Sequence, residues 1–395
     1  MPPHACGGIC RCVGKWSGIG RRSSETTDGS RLVRLNHAGR TAGFRPRLFR
    51  STMSLVEQRL GETSLDDGTT VRYAVVGSGP VAIYVPGWVS HLELSWALPP
   101  EREFCEGLAE GRTLVRYDRP GCGMSGPTSR TDVVELEMEV LYAISTACRA
   151  ERFDLIGSSF GAPLAVKWAA RYPSSVNRLV LYGGWVDGRD LTEPAFRDHV
   201  LGLVDEHWGF ASDVLTEIFA PDANAGLRAS FSKYQRESAT ASMAHHLLAA
   251  CYEIDITDDL HRVVAPTSVI HRRNDRAVPL AQGQRLASGI DGATMTVLDG
   301  RSHISFAGDT RSLLTAMRHG LGLPTLDSRT PPVLTPRQNE VAALVAKGWS
   351  NREIADELVI TERSAESHVE RIRARLGFRS RAQIAAWYVA TNAGD

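Results

Sequence analysis

The chain has 395 residues and a mass of 43.1 kDa, which exceeds the ~250–300 residues at which single hydrophobic cores stop growing, so two or three domains are expected. Its 43% apolar and 23% charged residues suit a globular protein, and no run of about 18 apolar residues exists to span a bilayer, which excludes the membrane-spanning and wholly disordered classes. The formal charge of zero is unevenly spread: residues 1–52 carry nine Arg and one Lys against Glu25 and Asp28, a net of +8, which leaves −8 on residues 53–395.

Residues 1–52 contain no apolar h-region of signal-peptide length and no helical or strand periodicity, so they are read as a disordered or over-extended N-terminus, with the folded chain starting near Met53. Seven cysteines, three of them at positions 6, 10 and 12, argue against a disulfide framework and for a reducing, cytoplasmic compartment. His4 beside them matches no common zinc spacing, so no metal site is expected. From residue 56 short β-rich runs alternate with helical segments. Strands are predicted at 71–76, 81–85, 113–117, 153–156 and 178–182, with helices at 98–110, 131–149 and 161–172. Strands stop between 186 and 262, where several helical stretches suit a cap. The alternation resumes with a strand at 267–271, a helix near 279–288, a strand at 294–298 and a helix near 309–320. This pattern predicts an α/β fold with a mostly parallel sheet covered on both faces. Residues 321–334, with Pro324, Pro331 and Pro332, read as a linker, and 335–395 as a small all-α domain.

Gly157-Ser158-Ser159-Phe160-Gly161 is a G-x-S-x-G match that follows the apolar strand FDLI and opens a helix, the context that a nucleophile elbow requires. A serine hydroxyl needs a base and an orienting carboxylate later in the chain. Asp275 lies just past the strand at 267–271 and His303 just past the strand at 294–298, both in loops beyond strand C-termini, where the sites of open parallel sheets collect. Backbone N–H groups of Phe160 and Trp88 are the candidates for stabilising an oxyanion, and Gly87 permits a close approach. Across residues 56–322 the segments VPGW, RYDRPGCGMS, GSSFGA and the Asp275 and His303 loops resemble the α/β-hydrolase family in order. The resemblance implies a helical cap over 186–262, no cofactor, and a serine rather than an aspartate nucleophile. VPGW departs from the family in lacking the His-Gly pair common at the oxyanion strand.

In residues 335–393 the segments Thr335-Pro336-Arg337-Gln338, Ser350-Asn351-Arg352-Glu353 and Ser380-Arg381-Ala382-Gln383 each fit a capping box, and Thr361 is a fourth N-cap candidate, so four short helices are predicted. In the third, Ala365, Val369, Ile372 and Leu376 form a buried stripe, leaving Arg363, Glu366, Ser367, Glu370, Arg371 and Ala374 outward. A helix-turn-helix and a helical docking bundle share this periodicity, and the net charge of about +1 over residues 330–395 does not separate them. LTPR, Gly348-x-Ser350-Asn351-x-Glu353-Ile354-Ala355, His368-Val369 and Arg375-Leu376-Gly377 closely resemble the LuxR/NarL-type helix-turn-helix. That resemblance implies a bacterial protein that contacts double-stranded DNA through the outward residues of the third helix, with Arg379 and Arg381 near phosphates. Glu366 stands where many members carry Lys, which suits modest affinity and dimerisation. Ile384 and Trp387 either form that homodimer face or fill the bundle core. Together the two resemblances imply a cytoplasmic transcription regulator with a hydrolase-like sensor for a small-molecule ligand or substrate. The rival expectation is a serine esterase or lactonase whose DNA-binding module only localises or autoregulates it.

Overall fold

The computed structural model describes residues 57–325, 334–376, 378 and 380–392. The expectations for residues 1–52, for the His4 and Cys6/Cys10/Cys12 group, for most of the linker and for Arg379 lie outside the described residues. No helix among those described is long and apolar enough to cross a membrane.

Eight strands form one sheet: β1 (Arg59–Ser64), β2 (Thr70–Gly77), β3 (Val81–Val85), β4 (Thr113–Tyr117), β5 (Phe153–Ser158), β6 (Val176–Tyr182), β7 (Thr267–Arg272) and β8 (Thr294–Leu298). Their order is β1-β2-β4-β3-β5-β6-β7-β8. The β1–β2 and β2–β4 pairs are antiparallel and the rest parallel. Sequence periodicity misses β1, because RLGETS is an edge strand with no buried residue and so carries no apolar run. Strand β5 shows the opposite limit: all six residues of FDLIGS are buried, as a central parallel strand with both faces covered requires.

Alternation along the strands sorts side chains to the two faces. Ile83, Val85, Val115 and Leu155 join a core under α3 (Val133–Ala147), α4 (Gly161–Arg171) and α9 (Leu280–Gly289). Ala82, Tyr84, Leu114 and Ile156 join Phe104 and Leu108 of α2 (Pro99–Ala109) and Leu313 and Met317 of α10 (Thr310–Gly320). A short helix, α1 (Leu92–Ala97), precedes α2 and is capped by the His91 side chain. Between β6 and β7 the chain leaves the sheet and forms α5 (Pro194–Glu206), α6 (Trp208–Phe219), α7 (Ala225–Ser238) and α8 (Ala241–Glu253), the helical cap.

The C-terminal domain consists of α11 (Pro336–Ala346), α12 (Asn351–Leu358), α13 (Glu362–Leu376) and α14 (Arg381–Asn392). Reciprocal capping boxes start α11 and α12. The Ser380 and Gln383 pair makes the same two bonds before α14, and Thr361 accepts from the Ser364 N–H before α13. Val359 takes the left-handed conformation that closes the turn between α12 and α13. Val341, Ile354, Ala365, Val369, Ile372 and Ile384 fill one core. Ile384 is therefore a core residue and not part of a dimer face, and Trp387 is partly buried against the same cluster.

Candidate active site

Ser159 sits where β5 ends and α4 begins, with φ at +55°. The flanking glycines explain why this turn needs its sequence. A Cβ on Gly157 would lie 2.5 Å from the Gly161 carbonyl oxygen, and one on Gly161 would lie 2.2 Å from the Val85 oxygen, so neither position admits a side chain. The Ser159 N–H donates to the Tyr182 oxygen at 2.8 Å, tying the turn to β6.

Ser159, His303 and Asp275, 28 to 144 residues apart in sequence, meet in one hydrogen-bonded chain. His303 Nε2 is 2.7 Å from Ser159 Oγ and its Nδ1 is 2.8 Å from Asp275 Oδ2. With Nδ1 carrying the proton, the imidazole donates to the carboxylate and accepts from the hydroxyl. The other carboxylate oxygen accepts from the N–H groups of Ala277 and Val278 at 2.9 and 3.1 Å. Burial works against the Asp275 charge, but His303 and these amides outweigh it and hold the carboxyl below the ordinary carboxylate value.

Two elements beyond the three side chains fix the geometry. Arg272, wholly buried, donates from Nη1 to the oxygens of Ser302 and Ile304 at 2.6 and 3.1 Å, gripping the chain on both sides of His303. The His303 and Ile304 N–H groups donate to Phe219 O at the end of α6, at 2.7 and 3.2 Å, so the cap holds the same loop from above. Arg119 does similar work beside Trp88. It donates to the carbonyls of Pro86, at 3.0 Å, and Gly87, and pairs with Glu137 at 3.0 Å, both partners of that pair being 2% exposed. The N–H groups of Trp88 and Phe160 have no hydrogen-bond partner among the described residues. Sequence reasoning passes over Arg119, Glu137 and Arg272 because an isolated charged residue reads as surface. The only signal for Arg119 is its place in RYDRPGCGMS, next to the C-terminal end of β4.

A cavity of about 110 Å³ opens on this chain of hydrogen bonds, lined near Ser159 and His303 by Gly87, Trp88 and Phe219. Such an arrangement is chemically suited to attack of a hydroxyl on a carbonyl carbon, with the proton passing to an imidazole. Among the described residues no group of three or more His, Cys, Asp or Glu is placed to hold a metal ion.

On α13, Arg363, Glu366, Glu370 and Arg371 are exposed. Ser367 is half-buried and accepts from Arg371 Nη2 at 2.9 Å. Arg381 is placed differently from an open phosphate contact: Nη1 donates to Asn351 Oδ1 at 2.6 Å and Nη2 to the Trp349 oxygen, which braces α14 against the start of α12.

Comparison with known proteins matches two parts of the chain. Residues 80–206 match the family described as alpha/beta hydrolase fold, and residues 332–388 match bacterial regulatory proteins of the luxR family. A pyrrolizixenacetamide deacetylase from Xenorhabdus hominickii is 27% identical over 235 residues, covering 58% of this chain and 86% of the relative. A 2-hydroxy-6-oxononadienedioate/2-hydroxy-6-oxononatrienedioate hydrolase from Cupriavidus pinatubonensis is 30% identical over 241 residues, covering 58% and 78%. Among solved structures, an esterase from Rhodococcus sp. ECU1013 superposes with a TM-score of 0.58 at 20% identity, covering 67% of this chain and 98% of the other. That likeness concerns the fold.

Proposed function

This chain belongs to the α/β-hydrolase family and carries a luxR-family DNA-binding domain, and we propose that it is a transcription regulator whose hydrolase domain binds and cleaves a small acyl ester or lactone. The hydrolase domain takes residues 53–320, and the linker 321–334 leads to the regulatory domain at 335–395. The observation that carries the reading is the Ser159–His303–Asp275 chain, formed beside the cap helices in the same polypeptide as a luxR-family module.

In the proposed reaction Ser159 Oγ attacks the carbonyl carbon while His303 Nε2 takes the hydroxyl proton. Asp275 holds the tautomer and stabilises the imidazolium. The oxyanion forms opposite the free N–H groups of Trp88 and Phe160, held ready because Arg119 fixes the two carbonyls before Trp88. His303 returns the proton to the departing oxygen, and water, activated by the same imidazole, frees the acid from Ser159. The two relatives above, named as a deacetylase and a hydrolase, are consistent with acyl transfer to water. Sensing follows from the cavity wall: Phe219, Phe231 and Tyr234 of the cap line it together with His303, so a ligand touches both the cap and the histidine loop. On the DNA side the outward residues of α13, Arg363, Glu366, Ser367, Glu370 and Arg371, face the major groove.

The test is promoter-fragment binding by the purified full-length protein, with and without short acyl esters, while free acid is measured in the same tube. Turnover together with an ester-dependent change in DNA affinity supports the proposal. DNA binding that ignores every ester, with turnover intact, would replace it by an enzyme whose module only localises it.

A further inference from the structure

Helix α13 presents Glu362, Glu366 and Glu370 to solvent. The first and the last have evident uses. Glu362 lies in the first turn, where the partial positive charge of a helix start favours an acid, and Glu370 accepts from Arg373 Nη1 at 2.7 Å. Glu366 lies beyond that first turn, and among the described residues its carboxylate has no hydrogen-bond or ion-pair partner. Arg371, the nearest cation on the C-terminal side of the outward face, donates from Nη2 to Ser367 Oγ at 2.9 Å instead. The direction of Glu366 is fixed by its neighbours. Ala365 and Val369 are buried in the core that α13 shares with α11 and α12, so the helix period turns residue 366 away from that core.

In a helix-turn-helix the second helix enters the major groove and residues of its N-terminal part meet base edges. A carboxylate brought there approaches a polyanion, so it is tolerated only where it accepts a hydrogen bond. The major groove offers donors at cytosine N4 and adenine N6; guanine N7 and O6, adenine N7 and thymine O4 are acceptors and repel it. The two donors differ in their surroundings. Adenine N6 stands beside N7 of the same base, which opposes a second carboxylate oxygen, whereas cytosine N4 has no acceptor beside it on the groove edge of its own ring. We propose that Glu366 reads a cytosine through its N4 amino group and so sets one position of the DNA sequence that the protein binds. The inference rests on the proposed entry of α13 into the major groove.

The test lets purified full-length protein select from a pool of random-sequence duplexes, which are then sequenced, for the parent, Glu366→Gln and Glu366→Lys. The parent is expected to enrich cytosine at one position, and changing that base alone should weaken its binding about tenfold. Glutamine pairs with adenine N6 and N7, and lysine with guanine O6 and N7. The same position is therefore expected to become adenine in the Gln variant and guanine in the Lys variant, with the rest of the selected sequence retained. Residue 366 is exposed, so neither substitution removes core packing. A retained sequence with tighter binding to every duplex would set the carboxylate against phosphate and overturn the inference. Loss of all selection in both variants, or a parent sequence with no cytosine that responds to either substitution, overturns it as well. A parent that selects no duplex removes the DNA-binding role of the domain and this inference with it; a parent whose selected sequence survives Glu366→Gln removes only the role of Glu366.

Discussion

Ser159 holds a left-handed backbone conformation that L side chains rarely adopt, and the strain of such a residue is of order 1–3 kcal/mol. The structure retains it because the turn places Oγ within 2.7 Å of His303 while the N–H reaches Tyr182. Ser159→Gly and Ser159→Ala both lose the bond to the imidazole, but only Gly relieves the strain. The Gly variant is therefore expected to be more stable than the Ala variant by about 1 kcal/mol, read as a difference in denaturant midpoints. Equal midpoints would mean that the turn is unstrained. His271 gives a pH-dependent counterpart. It is fully buried, its Nε2 bonds the Val278 oxygen at 2.9 Å, and it stands 4.0 Å from Asp275. Burial, outweighing the pull of Asp275, holds its imidazole below the ordinary value of 6.5. The unfolded chain then takes up this proton at higher pH than the folded one, so stability present at neutral pH is lost as the pH falls from roughly 7 towards the depressed folded value. Asp275, whose folded value is also depressed, adds its loss only when the pH drops below the ordinary 3.8. Melting curves between about pH 7 and 5 should therefore slope less in His271→Gln than in the parent; parallel slopes would assign the acid sensitivity elsewhere.

Between elements, the important contact is the one between the end of α6 and the histidine loop. Asp222, just beyond α6, accepts from Arg301 Nη2 at 2.6 Å and from the N–H of Arg301 and the hydroxyl of Ser302 at 3.2 Å each. Next to it, Phe219 O takes the N–H groups of His303 and Ile304. Asp222→Ala is expected to raise amide exchange of residues 303 and 304 by roughly tenfold through local opening, with far less change in β5. Unchanged exchange would show that Arg272 and the Phe219 oxygen hold the loop without Asp222. In the C-terminal domain the two arginines should separate by role. Arg371→Ala is expected to weaken DNA binding and reduce the salt slope by about one, whereas Arg381→Ala should lower the domain's melting temperature, because that guanidinium braces α14 to α12. The reverse pattern would exchange their assignments. Legibility follows the same physics. Ser159, Asp275 and His303 stand directly after apolar strands, which periodicity reveals, so the three side chains that the structure joins could be named from order alone. The three capping boxes and Thr361 were equally plain, since each is local. Edge strand β1 carried no apolar signal. Arg119, Glu137 and Arg272 were hidden because a buried charge looks like a surface charge until its partners, a dozen or more residues away, are brought to it.

At the scale of the molecule the proposed function requires that a ligand in the cavity change the affinity of the C-terminal domain for DNA. Binding can shift an equilibrium only by the difference in affinity for two states, so the coupling must arise where the ligand meets something that moves. The cavity offers that place, since Phe219, Phe231 and Tyr234 of the cap and His303 of the loop after β8 share its wall. Two mechanisms predict opposite behaviour for Ser159→Ala. If occupancy is the signal, the cap responds to the bound ester itself. The Ala variant then keeps the ester-dependent change in DNA affinity, and holds it longer because the ester is not consumed. If hydrolysis generates or ends the signal, the variant either never responds or stays in the ester-bound response. The proposed geometry favours the first, because removing one hydroxyl leaves the Phe219 bonds to the histidine loop in place. Promoter binding titrated with ester, followed over time in both proteins, decides between them: a transient response in the parent and a persistent one in Ser159→Ala is expected, and loss of the response in the variant would make the acid product, not the ester, the effector.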